Sequence, residues 1–510
     1  MEVNRLMKKT WFTSFVSCAV AGIGTHLFGL VNVLHNFDDI AVQPRGYGTG
    51  LKSGRWMLTF MGDFVKTHFG GHNLPYINGI LFILLVSVSA AVISATLGLK
   101  KRRWAAFVGV IFAVFPSTTA TLFYKYTVVY YGIAILLSVL AVFFLERYKF
   151  GLPLSVVCTA LALGIYQAYV PITVTLFVIL LIQKGIRGEK ISKLVLKGLY
   201  ACLSLVLGLG VYYLVLYICL KTNNMTLGTY QGVDDMGRIP VSDLPRLIRK
   251  AYSTFLKLPV KDYSALAQTR IIRLCYLFLG VSSVGITAYA LATRVKKLIP
   301  SLFVVLMGGI LPIAVNFIVI MCPNSLIYTL MVYSFALAPC FPVVLLDGLE
   351  PTEKKWQRVG ETAVSRAVAA VLALLIVSYG YLANVNYTYL YYSNRQTENY
   401  MASIVTQVRM TEGFTADKTW AFIGDLKDPL LKGAWNNVGV YSGNASPQRL
   451  ITAYSREKWL TTYCGYDVPL AKSDELACIA EDPRVKAMPC WPDNGSIAVI
   501  DDTIVIKFSD

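Results

Sequence analysis

Apolar runs of bilayer length dominate the chain up to residue 383. A helix needs about 20 mostly apolar residues to cross a membrane. Such runs recur at 11–34, 76–98, 104–122, 126–145, 151–167, 171–184, 198–220, 271–293, 299–320, 327–348 and 363–383. The pattern predicts an α-helical polytopic membrane protein of about eleven spans. Residues 151–184 could form one long tilted helix. Pro171 lacks an N–H and restricts the residue before it, so the run is divided at "YQAYVP".

Charge parity supports that division. With it, every short basic loop falls on one side: Arg5, Lys8 and Lys9, then 100–103, Arg147 and Lys149, 183–193, 294–297, and Lys354, Lys355 and Arg358. The short turns on the other side hold one basic residue, Lys125. Basic loops stay cytoplasmic, which places the N-terminus inside and the C-terminus outside. Residues 11–34 read as a retained helix. Their apolar core is too long for a cleaved signal peptide, and no A-x-A site follows it.

Composition agrees. The 510 residues are 55% hydrophobic and 15% charged, well below the charged share of a soluble protein. The net charge of +18 might suggest a nucleic-acid partner, but its location argues against one. Residues 1–383 carry 35 Lys/Arg against 14 Asp/Glu, and residues 384–510 carry 12 against 15. The excess belongs to the membrane loops. Cys158, Cys202, Cys219 and Cys275 sit in apolar spans. Cys464, Cys478 and Cys490 lie beyond them, with no zinc-ligand spacing.

The expected domains are a membrane unit, 1–383, with outer loops 35–75 and 221–270, and an outer domain, 384–510. In the first loop, 53–71 places Trp56, Phe60 and Phe64, with Met57 and Met61, at helical spacing. That predicts an amphipathic helix, lying in the interface or packed on the spans. The second loop carries Arg238, Arg246, Arg249 and Lys250, which suit a phosphate headgroup or simply face solvent. The outer domain reads as small α/β. A helix is expected over 394–410, a buried strand over 419–426, and a hairpin over 497–508 turning at Asp501-Asp502.

The spans hold almost no ionisable residues at mid-depth. Glu146 and Asp347 lie at inner ends, and His26 is a lone imidazole expected to be packed or hydrogen-bonded. Ion-coupled transporters place such groups mid-membrane. Here two acids, Asp38 and Asp39, follow the first span directly. They could end a helix, hold a cation, or take a proton from a substrate.

Further motifs stand in order. "FDD" at 37–39 and "GRW" at 54–56 precede the second span. "GIYQAY" lies at 164–169, "YQGVDDMGRI" at 230–239, and "MPCWPDNGSIAVIDDTIVIKF" at 488–508. This arrangement resembles the GT-C membrane glycosyltransferases, and among them the type II glucosyltransferases of O-antigen glucosylation. The likeness covers nearly the whole chain. It implies a hexose, glucose above all, carried on polyprenyl phosphate and moved to a cell-surface polysaccharide or glycolipid at the outer face of a bacterial cytoplasmic membrane. It also implies a catalytic acid in the first outer loop.

Arg55 of GRW and Tyr166 and Gln167 of GIYQAY join Arg238, Arg246 and Arg249 in the candidate substrate-binding set. The residues "HNF" before the two acids depart from the motif, which leaves sugar and acceptor open. No cofactor is implied, and a divalent metal stays open. The sequence does not separate the two acids; Asp39 is the first choice for the base. A non-enzymatic flippase of lipid-linked saccharides is the rival reading. It accounts for neither the outer domain nor the acid pair, and it predicts repeat symmetry.

Overall fold

A computed structural model describes residues 2–42, 50–229, 240–266, 268–295, 297–349, 355–428 and 440–510. Among these, nine helices are long and apolar enough to cross a membrane. Arg102–Val114 (α5) and Pro116–Leu122 (α6), bent by 42° at Phe115–Pro116, supply a tenth span. The shorter apolar helix Gly151–Ile165 (α8) makes eleven segments, which match the eleven expected ones in order.

The others are Glu2–Val31 (α1), Pro75–Thr96 (α4), Val128–Arg147 (α7), Val170–Ile186 (α9, extended by the turn Gln167–Tyr169), Ile191–Thr222 (α10), Arg270–Ala290 (α12), Leu298–Val315 (α13), Leu337–Gly348 (α15, extended by the 3₁₀ stretch Thr329–Ala336) and Lys355–Met410 (α16). Between them lie Phe37–Val42 (α2), Trp56–Phe69 (α3), Leu244–Lys257 (α11) and Ile318–Met321 (α14).

The contested run is two antiparallel helices. Lys184, at the end of α9, pairs with Glu146 at the end of α7 (2.6 Å), and the Gln183 amide donates to the Leu97 carbonyl (2.8 Å). The end of α9 therefore lies beside the start of α8, which follows α7 directly. The break falls at Tyr166–Tyr169, inside the expected "YQAYVP", with Tyr166 extended (φ −156°, ψ 108°). Pro171 sits in the first turn of α9, where its missing N–H costs no helical bond.

Helix ends gather the basic loops at one end of the bundle. Asp347 accepts the backbone N–H groups of Lys100 and Lys101 (2.7 and 2.9 Å). The Arg147 guanidinium donates to the Ala95 carbonyl, Arg103 to Ser365, and Arg294 lies 4.0 Å from Glu361. His26 is fully buried in α1. Its nitrogens meet the Tyr387 hydroxyl and the Ala113 carbonyl, both at 2.9 Å, tying α1 to α16 and α5.

The expected exit at 383 is not a helix end. Helix α16 runs on to Met410 and carries the membrane helix into the outer domain. No glycine or proline interrupts 384–410, so nothing local stops it. The strand and hairpin form as expected. Thr419–Ile423 (β1), Ile497–Ile500 (β2) and Thr503–Lys507 (β3) make a sheet of order β1-β3-β2, parallel between β1 and β3 and antiparallel between β2 and β3. Asp501 turns the hairpin with φ 51°. The domain core joins Trp420, Phe422, Trp459, Ile504 and Phe508 to Met401, Ile404 and Val408 of α16. Ile40 of α2 completes it.

Candidate active site

The site lies at the end of the bundle opposite the basic loops. Helix α1 ends in a turn at Val33, whose φ of 49° is unusual for a β-branched residue. Two clamps hold that turn. The Lys125 ammonium donates to the carbonyls of Gly29 (3.0 Å) and Leu34 (2.5 Å), on either side of Val33. The Asn394 side chain of α16 accepts from the His35 N–H (3.3 Å) and donates to its carbonyl (3.0 Å).

The chain then enters α2, where the Asn36 carbonyl oxygen caps the helix by accepting the Asp39 N–H (2.7 Å). Asp38 and Asp39 occupy the first turn, where the helix dipole favours acids. Ile40 and Phe37 pack against the C-terminal domain, so that domain and the helix bundle together fix the pair.

The two acids have different surroundings. Asp39 is 0% exposed and accepts the backbone N–H groups of Tyr126 (3.0 Å) and Lys125 (3.4 Å). Burial pushes its carboxyl up and the Lys125 ammonium down, while each charge offsets the other's shift. Asp39 is thus spent on latching the 123–127 turn to α2. Asp38 is half-buried, and no described residue donates a hydrogen bond to it. Burial raises its carboxyl to about 6, against the opposing field of the Arg55 guanidinium.

Arg55 is built in with care. Its guanidinium lies 4.7 Å over the Tyr166 ring, and its Nη1 donates to the Tyr131 hydroxyl (3.2 Å). Tyr131 and Tyr166 stack at 4.5 Å. The Gln167 amide donates to the Ser53 carbonyl (3.0 Å) and to the Tyr212 hydroxyl (3.1 Å). Tyr212 in turn donates to the Gly54 carbonyl (3.1 Å). Gln167 therefore holds the loop that carries Arg55 and does not face the acids. The glycine of GIYQAY is needed for this approach: a Cβ on Gly164 would lie 2.7 Å from the Trp56 ring.

The first-loop helix forms as expected and divides its aromatics. Trp56, Met57 and Met61 pack against the spans, whereas Phe60, Phe64 and Phe69 are exposed. The expected second-loop helix forms as α11 and rests on α13, where the Asn316 amide donates to the Ala251 carbonyl (3.5 Å). Arg246 and Arg249 lie on its exposed face, and Arg246 pairs with Asp243 (3.3 Å). The structure does not bring them to the acid pair. Arg238 lies outside the described residues.

Sequence reasoning counted Lys125 only as a stray outer charge and missed its role at the acids. The one available signal was its isolation, since it is the lone basic residue of the short outer turns.

The site thus joins a half-buried carboxylate, an arginine held by two tyrosines, and the end of the first apolar helix. No curated protein and no solved structure matches the chain. The family model described as Glucosyl transferase GtrII matches residues 27–339, which take in both acids, Arg55 and the Tyr166–Gln167 break. With more than half of its length in that match, the chain belongs to the GtrII glucosyl transferase family.

Proposed function

We propose that this glucosyltransferase moves glucose from a polyprenyl-phosphate donor to a cell-surface glycan at the outer face of the membrane, by direct displacement with Asp38 as general base. A GT-C-like membrane unit and an outer domain that receives the glycan complete the reading. The observation that carries it is a half-buried carboxylate, bonded by no described residue, in the field of a ring-mounted arginine at a helix exit. A lipid-linked donor keeps its phosphate at the interface and its tail in the bilayer, so the chemistry must sit at membrane level. The basic loops at the opposite end support an extracytoplasmic site.

In the reaction the acceptor oxygen bonds to the anomeric carbon as the bond from that carbon to the phosphate oxygen breaks. Asp38 takes the acceptor proton. A carboxyl near pH 6 is ionised at neutral pH yet still basic. The electron pair goes to the leaving phosphate, whose growing charge Arg55 stabilises. One carboxylate suffices for a single displacement. Asp39 takes the positioning role, so Asp38 replaces it as the first choice for the base. Arg246 and Arg249 serve donor approach at most, from the rim.

The test is a panel of labelled polyprenyl-phosphate sugars offered to membranes containing the wild type or Asp38→Asn. Glucose transfer by the wild type and its loss in the variant support the reading. Equal transfer by both sinks it.

A further inference from the structure

A groove of about 230 Å³ opens beside the acid-bearing segment. One wall is the exit of α1, Asn32 to His35. The second is the face of α16 that carries Tyr391, Asn394, Arg395 and Glu398 at helical spacing. The third is Tyr463. Tyr463 closes a single π-helical turn, Trp459–Tyr463, a geometry frequent at functional sites.

Three features suit a sugar ring. Tyr391 and Tyr463 are half-buried and offer ring surface, on which the apolar face of a pyranose can rest. Arg395 and Glu398, 2.9 Å apart, place donors and acceptors side by side, the combination that adjacent hydroxyls need. His35 is nine-tenths buried in the wall, and its Nδ1 has no hydrogen-bond partner among the described residues. Burial and the field of Lys125 hold that imidazole neutral, down to about 3. It is therefore a polar group without charge.

The groove also neighbours the reaction centre. His35 stands three positions before Asp38, and an extended chain advances at most about 3.6 Å per residue. Their Cα atoms are thus within roughly 11 Å, the reach of a short oligosaccharide. Tyr463 links the two places. Its ring packs edge-on against His35 (5.7 Å), and its hydroxyl is pushed up by burial and by the charges of both Asp39 and Glu398.

We propose that this groove is a carbohydrate subsite that holds one sugar ring of the glycan acceptor beside the transfer site. Tyr391 and Tyr463 form its platform, and Arg395 and Glu398 bind its hydroxyls. The proposal rests on the glucosyl-transfer reading given above.

Glu398→Gln and Arg395→Gln test it in the full-length protein, with surface polysaccharide extracted from the producing cells as acceptor. Both side chains are solvent-accessible, so the fold should tolerate the changes. Acceptor KM should rise about tenfold, the cost of a lost hydrogen bond to a charged group. Donor KM, kcat and the slow transfer of glucose to water should stay within twofold. An acceptor KM within twofold of wild type in both variants overturns the subsite and leaves the role of Asp38 standing. Retained transfer by Asp38→Asn would overturn the catalytic reading instead. Hydrogen exchange on the wild type gives a second check. The same polysaccharide should slow exchange over 391–398 and 459–464, and unchanged exchange there overturns the proposal.

Discussion

The two ends of the helix bundle both concentrate charge, and they use it in opposite ways. At the basic end the described acids Glu146 and Asp347 are consumed by structure. Glu146 meets Lys184 and Lys197, and Asp347 accepts two backbone N–H groups. At the other end Asp39 is consumed in the same manner, by Tyr126 and Lys125, but Asp38 is not. Charge that completes a helix end or a loop needs no further explanation. A half-buried carboxylate that no described residue bonds, lying in the field of an arginine mounted on rings, does.

The sharpest way to break this contrast is to remove the charge of Asp38. Asp38→Asn should keep its fold, because the amide matches the carboxylate in shape and no described residue bonds to it. Transfer should fall about 10²–10⁴-fold, the usual cost of losing a general base. Glu146→Gln at the opposite end should leave turnover unchanged. In the wild type, transfer should decline as pH falls through about 6, since a protonated Asp38 cannot accept the acceptor's proton. A profile flat from pH 8 to pH 5 would remove Asp38 from the chemistry.

Arg55 comes next. Its loss removes a charge-assisted contact to the donor phosphate, on the order of 1.5–3 kcal/mol, or roughly 10- to 150-fold in donor use. Arg55→Lys should rescue little, because an ammonium reproduces neither the planar contact with Tyr166 nor the geometry at Tyr131. Arg55 holds the Asp38 carboxyl down, so Arg55→Gln should shift the acid limb of the profile upward. An acid limb that stays in place would show that the two groups do not interact.

The third test concerns the structural acid. Asp39→Asn strands a buried ammonium, and Lys125→Met strands a buried carboxylate. The field of each charge favours the other, so removing either one is destabilising. Each single variant should therefore unfold at lower temperature in detergent, with more residual transfer than Asp38→Asn shows. The double variant should be more stable than the sum of the two losses predicts. Strict additivity would separate the pair.

Much of this was legible in the sequence, for identifiable reasons. The spans could be read because bilayer thickness fixes their length, and the α8–α9 division because charge parity required it. The break falls inside "YQAYVP" as expected, but its cause is different: proline sits comfortably in a first turn, whereas Tyr166 and Gln167 leave the helix to hold Arg55 and its loop. The extent of α16 was hidden because an aromatic-rich stretch resembles an interfacial belt, yet nothing in it breaks a helix. Asp38 and Asp39 could be found as a pair but not told apart. What separates them is Lys125, some 90 positions away, and contacts across that distance leave no local pattern. The packing of Ile40 into the outer domain was invisible for the same reason.

The smallest expected effect belongs to the second outer loop. Arg246 is 69% exposed and already paired with Asp243, and Arg249 shares its solvated face. An exposed ion pair of this kind is worth about 0.2–1 kcal/mol. Arg246→Ala and Arg249→Ala should therefore change donor KM by no more than about fivefold, and raising the salt should shrink even that difference. The measurement compares donor KM at low and high ionic strength for both variants and for Arg55→Gln. If either rim variant matched the loss at Arg55, and kept it in high salt, α11 would have to close over the donor. The acid end would then owe its phosphate contact to a moving loop and not to the ring-mounted arginine. A small, salt-sensitive effect leaves Arg55 as the fixed charge of the site.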